Sequence, residues 1–265
     1  MLKERCGSLT YYRFENLACY NEITHGIFTR LGGVSAPPFA SLNVGGLVGD
    51  DEAAVRANHE LIYAALGVTA AHQVSARQVH GNQVRVVQAS DRGRIIPDTD
   101  ALVTALPDTP LMLRFADCVP IILYDPRHKV IGLAHAGRQG TVAKVAQRTA
   151  LTMTEVFGCQ PDDIRAGIGP SIGPCCYQVN QETVERVRST IPYWGDLLHP
   201  QRDSVWHFNL WEANRRQLTE VGVTQVEMSK LCTACHVDQF FSHRAEGGKT
   251  GRFGGLIGIR ALGIR

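Results

Sequence analysis

The sequence predicts a mixed α/β (α+β) fold with a large central β component. Three observations carry this. The runs "LMLRFADC", "VPIILYD" and "KVIGLAHA" are almost continuously apolar, as strands covered on both faces are. Helical periodicity is confined to separate blocks, the clearest lying after Gly140. Helices and strands also fail to alternate strictly, as a doubly wound parallel sheet would require. No Ser/Gly linker, low-complexity tract or repeat divides the chain, so residues 1–265 are expected to form one unit, with 1–24 as its lead-in.

In chain order, the first helix is "DEAAVRANHELIYAALG": acids open it, Val55, Leu61, Ile62, Ala65 and Leu66 give it an apolar face, and Gly67 stops it. "VSARQVHGNQVRVVQ" reads as two short strands about a turn at "HGN", followed by strands at "ALVTA", "LMLRFADC", "VPIILYD" and "KVIGLAHA". The last two are joined by "PRH". From Val142 through Phe157, apolar residues recur at three- and four-residue steps and stop at Gly158, predicting a helix. "IRAGIGPSIGPCCYQV" reads as strand, Gly/Pro loop, strand. Asn180 caps a helix over "NQETVERVRSTI", and Asn209, with Glu212 three residues on, opens another over "LWEANRRQLTEVG". "QFFSHRAEGGKTGRFGGLIGIRAL" reads as a strand, a glycine-rich loop and a final strand.

Composition narrows the function. The net charge of +2 arises from interspersed acids and bases with no polybasic block, so neither nucleic acid nor a membrane surface is the expected partner. The N-terminus has no apolar signal region, and no run approaches about 18 apolar residues. A soluble cytoplasmic protein acting on a small molecule is the expectation, as a monomer or homodimer. In that setting the eight cysteines are expected to be reduced, each most simply a small buried hydrophobe.

Two motifs are set aside. "GIGPSIG" superficially matches a dinucleotide fingerprint, but Pro170 interrupts it and no helix follows at once. "CTACH" matches the haem c attachment pattern, which needs export, or half a zinc ribbon, whose second Cys-x-x-Cys is absent. Cys232 and Cys235 therefore read as core or loop thiols, and the vicinal Cys175 and Cys176 receive no metal role. Three residues remain that share a setting: His80 at a turn, and Cys118 and His135 at matched ends of two neighbouring strands. Two imidazoles and a thiolate suit zinc and leave its fourth tetrahedral position to water or substrate. Spacings of 38 and 17 residues do not identify a metal site, and a Cys-His nucleophile pair fits the same strand ends.

Several longer stretches carry a family resemblance: "HGIFTRLGGVSAPPFASLNVGGLVGDD", "RQVHGNQV", "ADCVPIILYD", "VIGLAHAG", "IGPSIGPCCYQV" and "DQFFSHRAEGGKTGRFG". In this order they resemble the multicopper polyphenol oxidase, or laccase-domain, family, which includes the YfiH and YlmD proteins and whose members are also described as purine nucleoside phosphorylases. The likeness runs from about His25 nearly to the C-terminus. It implies a YfiH-like α/β/β/α layered sandwich and a Zn2+ held by His80, Cys118 and His135. It also implies phosphorolysis of adenosine, inosine and S-methyl-5'-thioadenosine to base and ribose 1-phosphate, together with adenosine deamination. An older assignment in the family makes the reaction a Cu2+-dependent oxidation of phenols.

The residues suit the purine chemistry. Phosphorolysis needs cations to hold the attacking anion, for which Arg30, Arg244 and Arg252 in Gly-rich loops are candidates. Deamination needs an activated water, which zinc supplies, and Asp117 beside Cys118 is a candidate acid/base or orienting group. Laccase chemistry relays four electrons through several coppers, yet the ten histidines contain no His-x-His pair. Copper oxidation is therefore the alternative, beside a metal-free hydrolase with Cys118 as nucleophile and His135 as base, and a non-catalytic nucleoside-binding protein. The chain departs from the family pattern at "AHAGRQG": Arg138 and Gln139 stand where Trp and Arg are usual, and Ala245 stands where a second Arg is common. These changes put phosphate binding in question.

Overall fold

A computed structural model describes residues 1–201 and 205–261. Its strands are β1 (Leu2–Cys6), β2 (Leu9–Arg13), β3 (Ile23–Phe28), β4 (Val74–Ala76), β5 (Val84–Val86), β6 (Ile95–Ile96), β7 (Ala101–Thr104) and β8 (Leu111–Phe115). They continue with β9 (Val119–Asp125), β10 (Val130–Ala136), β11 (Arg165–Ile168), β12 (Gln178–Val179), β13 (Leu198–Pro200), β14 (Trp206–Phe208), β15 (Gln225–Met228) and β16 (Phe253–Ile259). The α-helices are α1 (Glu15–Ala18), α2 (Glu52–Leu66), α3 (Arg138–Val142), α4 (Val145–Phe157), α5 (Gln181–Thr190) and α6 (Leu210–Glu220). A seven-stranded sheet has the order β1-β2-β3-β16-β8-β4-β6, a six-stranded sheet the order β15-β11-β9-β10-β7-β5, and a small third sheet the order β12-β14-β13.

Side-chain alternation shows how the layers stack. In β9 and β10, Ile122, Tyr124, Ile131 and Leu133 share a core with Leu111, Leu113 and Phe115 of β8 and Phe253 and Ile257 of β16. The two large sheets therefore pack face to face. The opposite face of the six-stranded sheet, with Ile121, Leu123 and Ala134, packs against Val145, Ala150 and Met153 of α4 and Leu218 of α6. On the far side of the seven-stranded sheet, Phe28, Met112 and Leu256 meet Ile62 and Leu66 of α2. The result is the expected α/β/β/α sandwich, and it explains the unbroken apolar runs: both parities of these strands are buried.

The predicted helices form with their expected caps. Asp51 accepts from the N–H groups of Ala53 and Ala54, Asn180 from Thr183 and Asn209 from Glu212, while Gly67 and Gly158 close α2 and α4 in the left-handed region. Four expectations change. Lys144 is left-handed and breaks the helix expected after Gly140 into α3 and α4. β4 and β5 belong to different sheets, so "HGN" crosses between layers instead of turning a hairpin. The segment about Phe240 is a turn in place of the expected strand, with the N–H groups of Gln239 and Phe240 both donating to the His236 carbonyl. A turn lets the adjacent Phe240 and Phe241 both point inward, which strand alternation forbids. Finally, the lead-in supplies a β1-β2 hairpin at the edge of the seven-stranded sheet. The expected last strand ended at Leu262, which lies outside the described residues. Among the described residues no helix is long and apolar enough to cross a membrane.

Candidate active site

The hairpin of β9 and β10 sets the site. Its register pairs Val119 with Ala136 and Pro120 with His135, so Cys118, one residue before β9, lies beside the end of β10. His135 has the parity of Ile131 and Leu133 and points between the two sheets, its ring centroid 5.6 Å from that of Phe115. His80 arrives on the crossing between the sheets, held at φ 61°, in the left-handed region that non-glycine residues rarely adopt. Gly137 permits the approach: a methyl there would lie 2.8 Å from His80 Cδ2 and 3.0 Å from Cys118 Sγ.

One residue that sequence reasoning missed organises all this. The fully buried Asp100 accepts the backbone N–H groups of Val79 (3.2 Å), His80 (3.0 Å) and Gly81 (2.7 Å) on its carboxylate. The same carboxylate accepts from His135 Nδ1 at 2.9 Å, and its main-chain carbonyl accepts His135 N–H. Burial alone would raise the Asp100 pKa, but these donors reverse it and hold the carboxyl below its ordinary value. The only sequence signal was weak: an aspartate directly before the buried strand "ALVT" needs a compensating partner once buried, but its burial is not readable from sequence.

The donor atoms of His80, Cys118 and His135 all lie within 4.8 Å of one another. Burial opposes charge on both Cys118 and His135, yet mutual attraction wins: the imidazoles pull the thiol below its usual range, and the thiolate and Asp100 hold His135 above its own. The set fits zinc. Its donors are two nitrogens and a thiolate, and His135 donates its other ring N–H to a buried carboxylate, the usual support of a metal-binding imidazole.

Around the cluster opens a cleft of about 1000 Å³ whose walls include Asp117, Arg244 and Arg252. Asp117, at φ 84°, turns both carboxylate oxygens to the loops, accepting from Thr233 Oγ1 and from Arg244 N–H, each at 2.7 Å. The Arg244 guanidinium donates to the carbonyls of Cys176 and Gln178 and lies over the Tyr177 ring. Arg252 donates to the carbonyls of Thr250 and Gly251. Arg30 is not brought to the cleft: it is paired with Glu246 at 2.9 Å, donates to Ala40 and Val237, and covers Phe241. The departures Arg138 and Gln139 both line the cleft, and Arg138 donates to Thr183 Oγ1. Tyr177, Gln78, Arg114 and His243 are further lining residues that carried no sequence signal.

A model of the family described as multi-copper polyphenol oxidoreductase laccase matches residues 24–260. The chain belongs to this family. Its laccase-family relatives include the purine nucleoside phosphorylase YlmD of Geobacillus stearothermophilus, 39% identical over 247 residues and 89% of each chain. A purine nucleoside phosphorylase of Bacteroides thetaiotaomicron is 35% identical, covering 93% of this chain and 94% of the relative. The crystal structure of Geobacillus stearothermophilus YlmD superposes with TM-score 0.91 at 36% identity over 97% of this chain and 98% of that one. The Bacillus licheniformis YfiH structure gives 0.90 at 35% identity over 96% and 97%. The fold is thus that of the YfiH and YlmD proteins, and a role like that of a purine nucleoside phosphorylase is supported.

One expectation is corrected: the cysteines, expected to be small buried hydrophobes, include Cys175 and Cys235, which are exposed. Cys175 and Cys176 are not isolated from Cys232 and Cys235: all four sulfurs fall within 4.8 Å of one another.

Proposed function

We propose that the protein is a zinc-dependent purine nucleoside phosphorylase that also deaminates adenosine. The observation that carries the reading is the Asp100-supported cluster of His80, Cys118 and His135 at an arginine-lined cleft, in a chain whose relatives bear that name. When bound, zinc supplies Lewis acidity toward water or a substrate oxygen.

The remaining roles fall to the chain. Arg244 and Arg252 each commit some of their five N–H donors to backbone carbonyls, which holds the guanidinium in place for an anion such as phosphate. Positive charge at the cleft stabilises phosphate beside the ribose anomeric carbon and offsets its charge until the C–N bond breaks. Tyr177 offers a ring to the apolar faces of a purine nucleoside. Asp117, fixed by Thr233 and Arg244, serves as the carboxylate that accepts or returns a proton at the departing base or attacking water. Arg138 contributes a cation where the family has Trp, so phosphate binding does not depend on Arg30.

A second reading has a specific observation behind it. Cys118, His135 and Asp100 are connected as nucleophile, base and orienting acid. His80 supports the metal reading, because a nucleophilic triad has no use for a second imidazole beside the thiol. The test is turnover of inosine plus phosphate before and after chelation: loss with chelator and recovery with zinc is expected, whereas activity indifferent to chelator but killed by a thiol alkylator belongs to the cysteine hydrolase. Arg252→Ala should raise the phosphate KM about ten- to hundredfold, the value of a charge-assisted hydrogen bond of about 1.5–3 kcal/mol.

A further inference from the structure

Two loops far apart in sequence meet beside the cleft. The first follows β11 and carries Cys175 and Cys176; the second follows β15 and carries Cys232 and Cys235. Backbone bonding joins them: Ser171 bridges to Cys232 in parallel, Ser171 N–H donates to Leu231, and Thr233 N–H donates to Ser171. The main chain thus fixes where the four side chains converge.

Cys235 Sγ lies 3.7 Å from Cys175 Sγ and 3.4 Å from Cys176 Sγ. Four thiolates around zinc at about 2.3 Å stand about 3.8 Å apart along a tetrahedral edge, so these spacings need little adjustment. A disulfide would need about 2 Å, and all eight cysteines are free thiols. Cys235 is nearly equidistant from two partners, which ligation by four sulfurs requires and pairwise bonding does not. Cys232 Sγ also accepts the Gly173 N–H at 3.2 Å, and the N–H groups of Cys235 and His236 fold back on the Cys232 carbonyl. A backbone N–H directed at sulfur stabilises a thiolate.

A purely apolar role does not account for the cluster. Cys232 is buried, but Cys175 and Cys235 are exposed, so the sulfurs do not fill a core. Nor does the cluster belong to the cleft, since none of the four lines it.

We propose that Cys175, Cys176, Cys232 and Cys235 form a second, structural metal site, a four-thiolate centre for zinc distinct from the His80–Cys118–His135 cluster. Thiolate donors select soft cations, and four of them leave no position open for substrate. Ligation replaces the thiol protons with the cation and involves no electron transfer. Its consequence reaches the cleft through two bonds. Thr233, between the second pair of cysteines, donates to Asp117, and Arg244 donates to the Cys176 carbonyl. The ion therefore clamps together the two loops that carry Tyr177 and Arg244 and that hold Asp117 through Thr233.

The test is metal analysis of the full chain after desalting. Wild type is expected to carry about two zinc ions, and both His80→Ala/His135→Ala and Cys232→Ser/Cys235→Ser about one each. A zinc content left unchanged by the cysteine pair overturns the site. Because the serine variant could fail to fold, the wild-type chain is also stripped and titrated with Co2+. One equivalent should develop the intense thiolate charge-transfer and tetrahedral absorption of a four-sulfur site, and binding of a single equivalent with one-thiolate intensity refutes it. Neither readout uses nucleoside turnover, so this proposal and the proposed reaction fail independently.

Discussion

Asp100 is the residue on which the site turns. It fixes the main chain of His80 and the ring of His135 at once, so Asp100→Asn should weaken zinc binding about 10–100-fold, the usual effect of losing a metal ligand's partner. Competition with a chromophoric chelator measures this. The carboxyl is depressed in the folded state, so its stabilisation is complete above the ordinary aspartate pKa and is lost as pH falls through the folded value. Folding stability of the zinc-free chain should therefore fall over that acid range, and Asp100→Asn should flatten the fall; superimposable unfolding profiles would show that Asp100 does not contribute. In zinc-free protein, the lowered Cys118 pKa predicts alkylation that persists below the pH at which ordinary thiols stop reacting. His80, Cys118 and His135 stood out in sequence because a thiol and imidazoles at strand ends are conspicuous, and the proposed ligand role came from the family resemblance. Asp100 did not stand out, because one aspartate before a strand looks like any turn acid until its four donors are in place.

At the scale of elements, the β9-β10 hairpin and its "PRH" turn formed as their hydrophobicity indicated. Asp125, accepting the N–H groups of Arg127 and His128, pins that turn. Capping residues were equally readable: Asn209→Ala should cost about 0.5–2 kcal/mol by losing its bond to the Glu212 N–H, a drop visible in Tm. Elements whose state is set by neighbours were harder. Polar β1 is a strand because β2 offers it an edge, and Phe240 sits in a turn because two adjacent aromatics share one core. The cysteine pairs belong here too. Each spacing alone is uninformative, and only the contact between the β11 and β15 loops unites them.

The whole molecule is two sheets packed face to face with helices outside, and the cleft opens at the sheet ends where His135 and Cys118 emerge. Leu133 lies fully buried between the sheets, so Leu133→Ala should destabilise the protein by about 2–5 kcal/mol in denaturant unfolding. The layered class was legible because both faces of β8, β9, β10 and β16 are apolar, whereas strand order depends on pairings hundreds of residues apart, such as β3 with β16. On the proposed function, this scaffold holds zinc for reaction between a purine nucleoside and phosphate. The most direct measurement is the metal content of the purified chain, taken together with base release from inosine with and without phosphate. Bound zinc, with hypoxanthine released only when phosphate is present, is expected; several coppers per chain, with phenol oxidation and no base release, would overturn the proposed function.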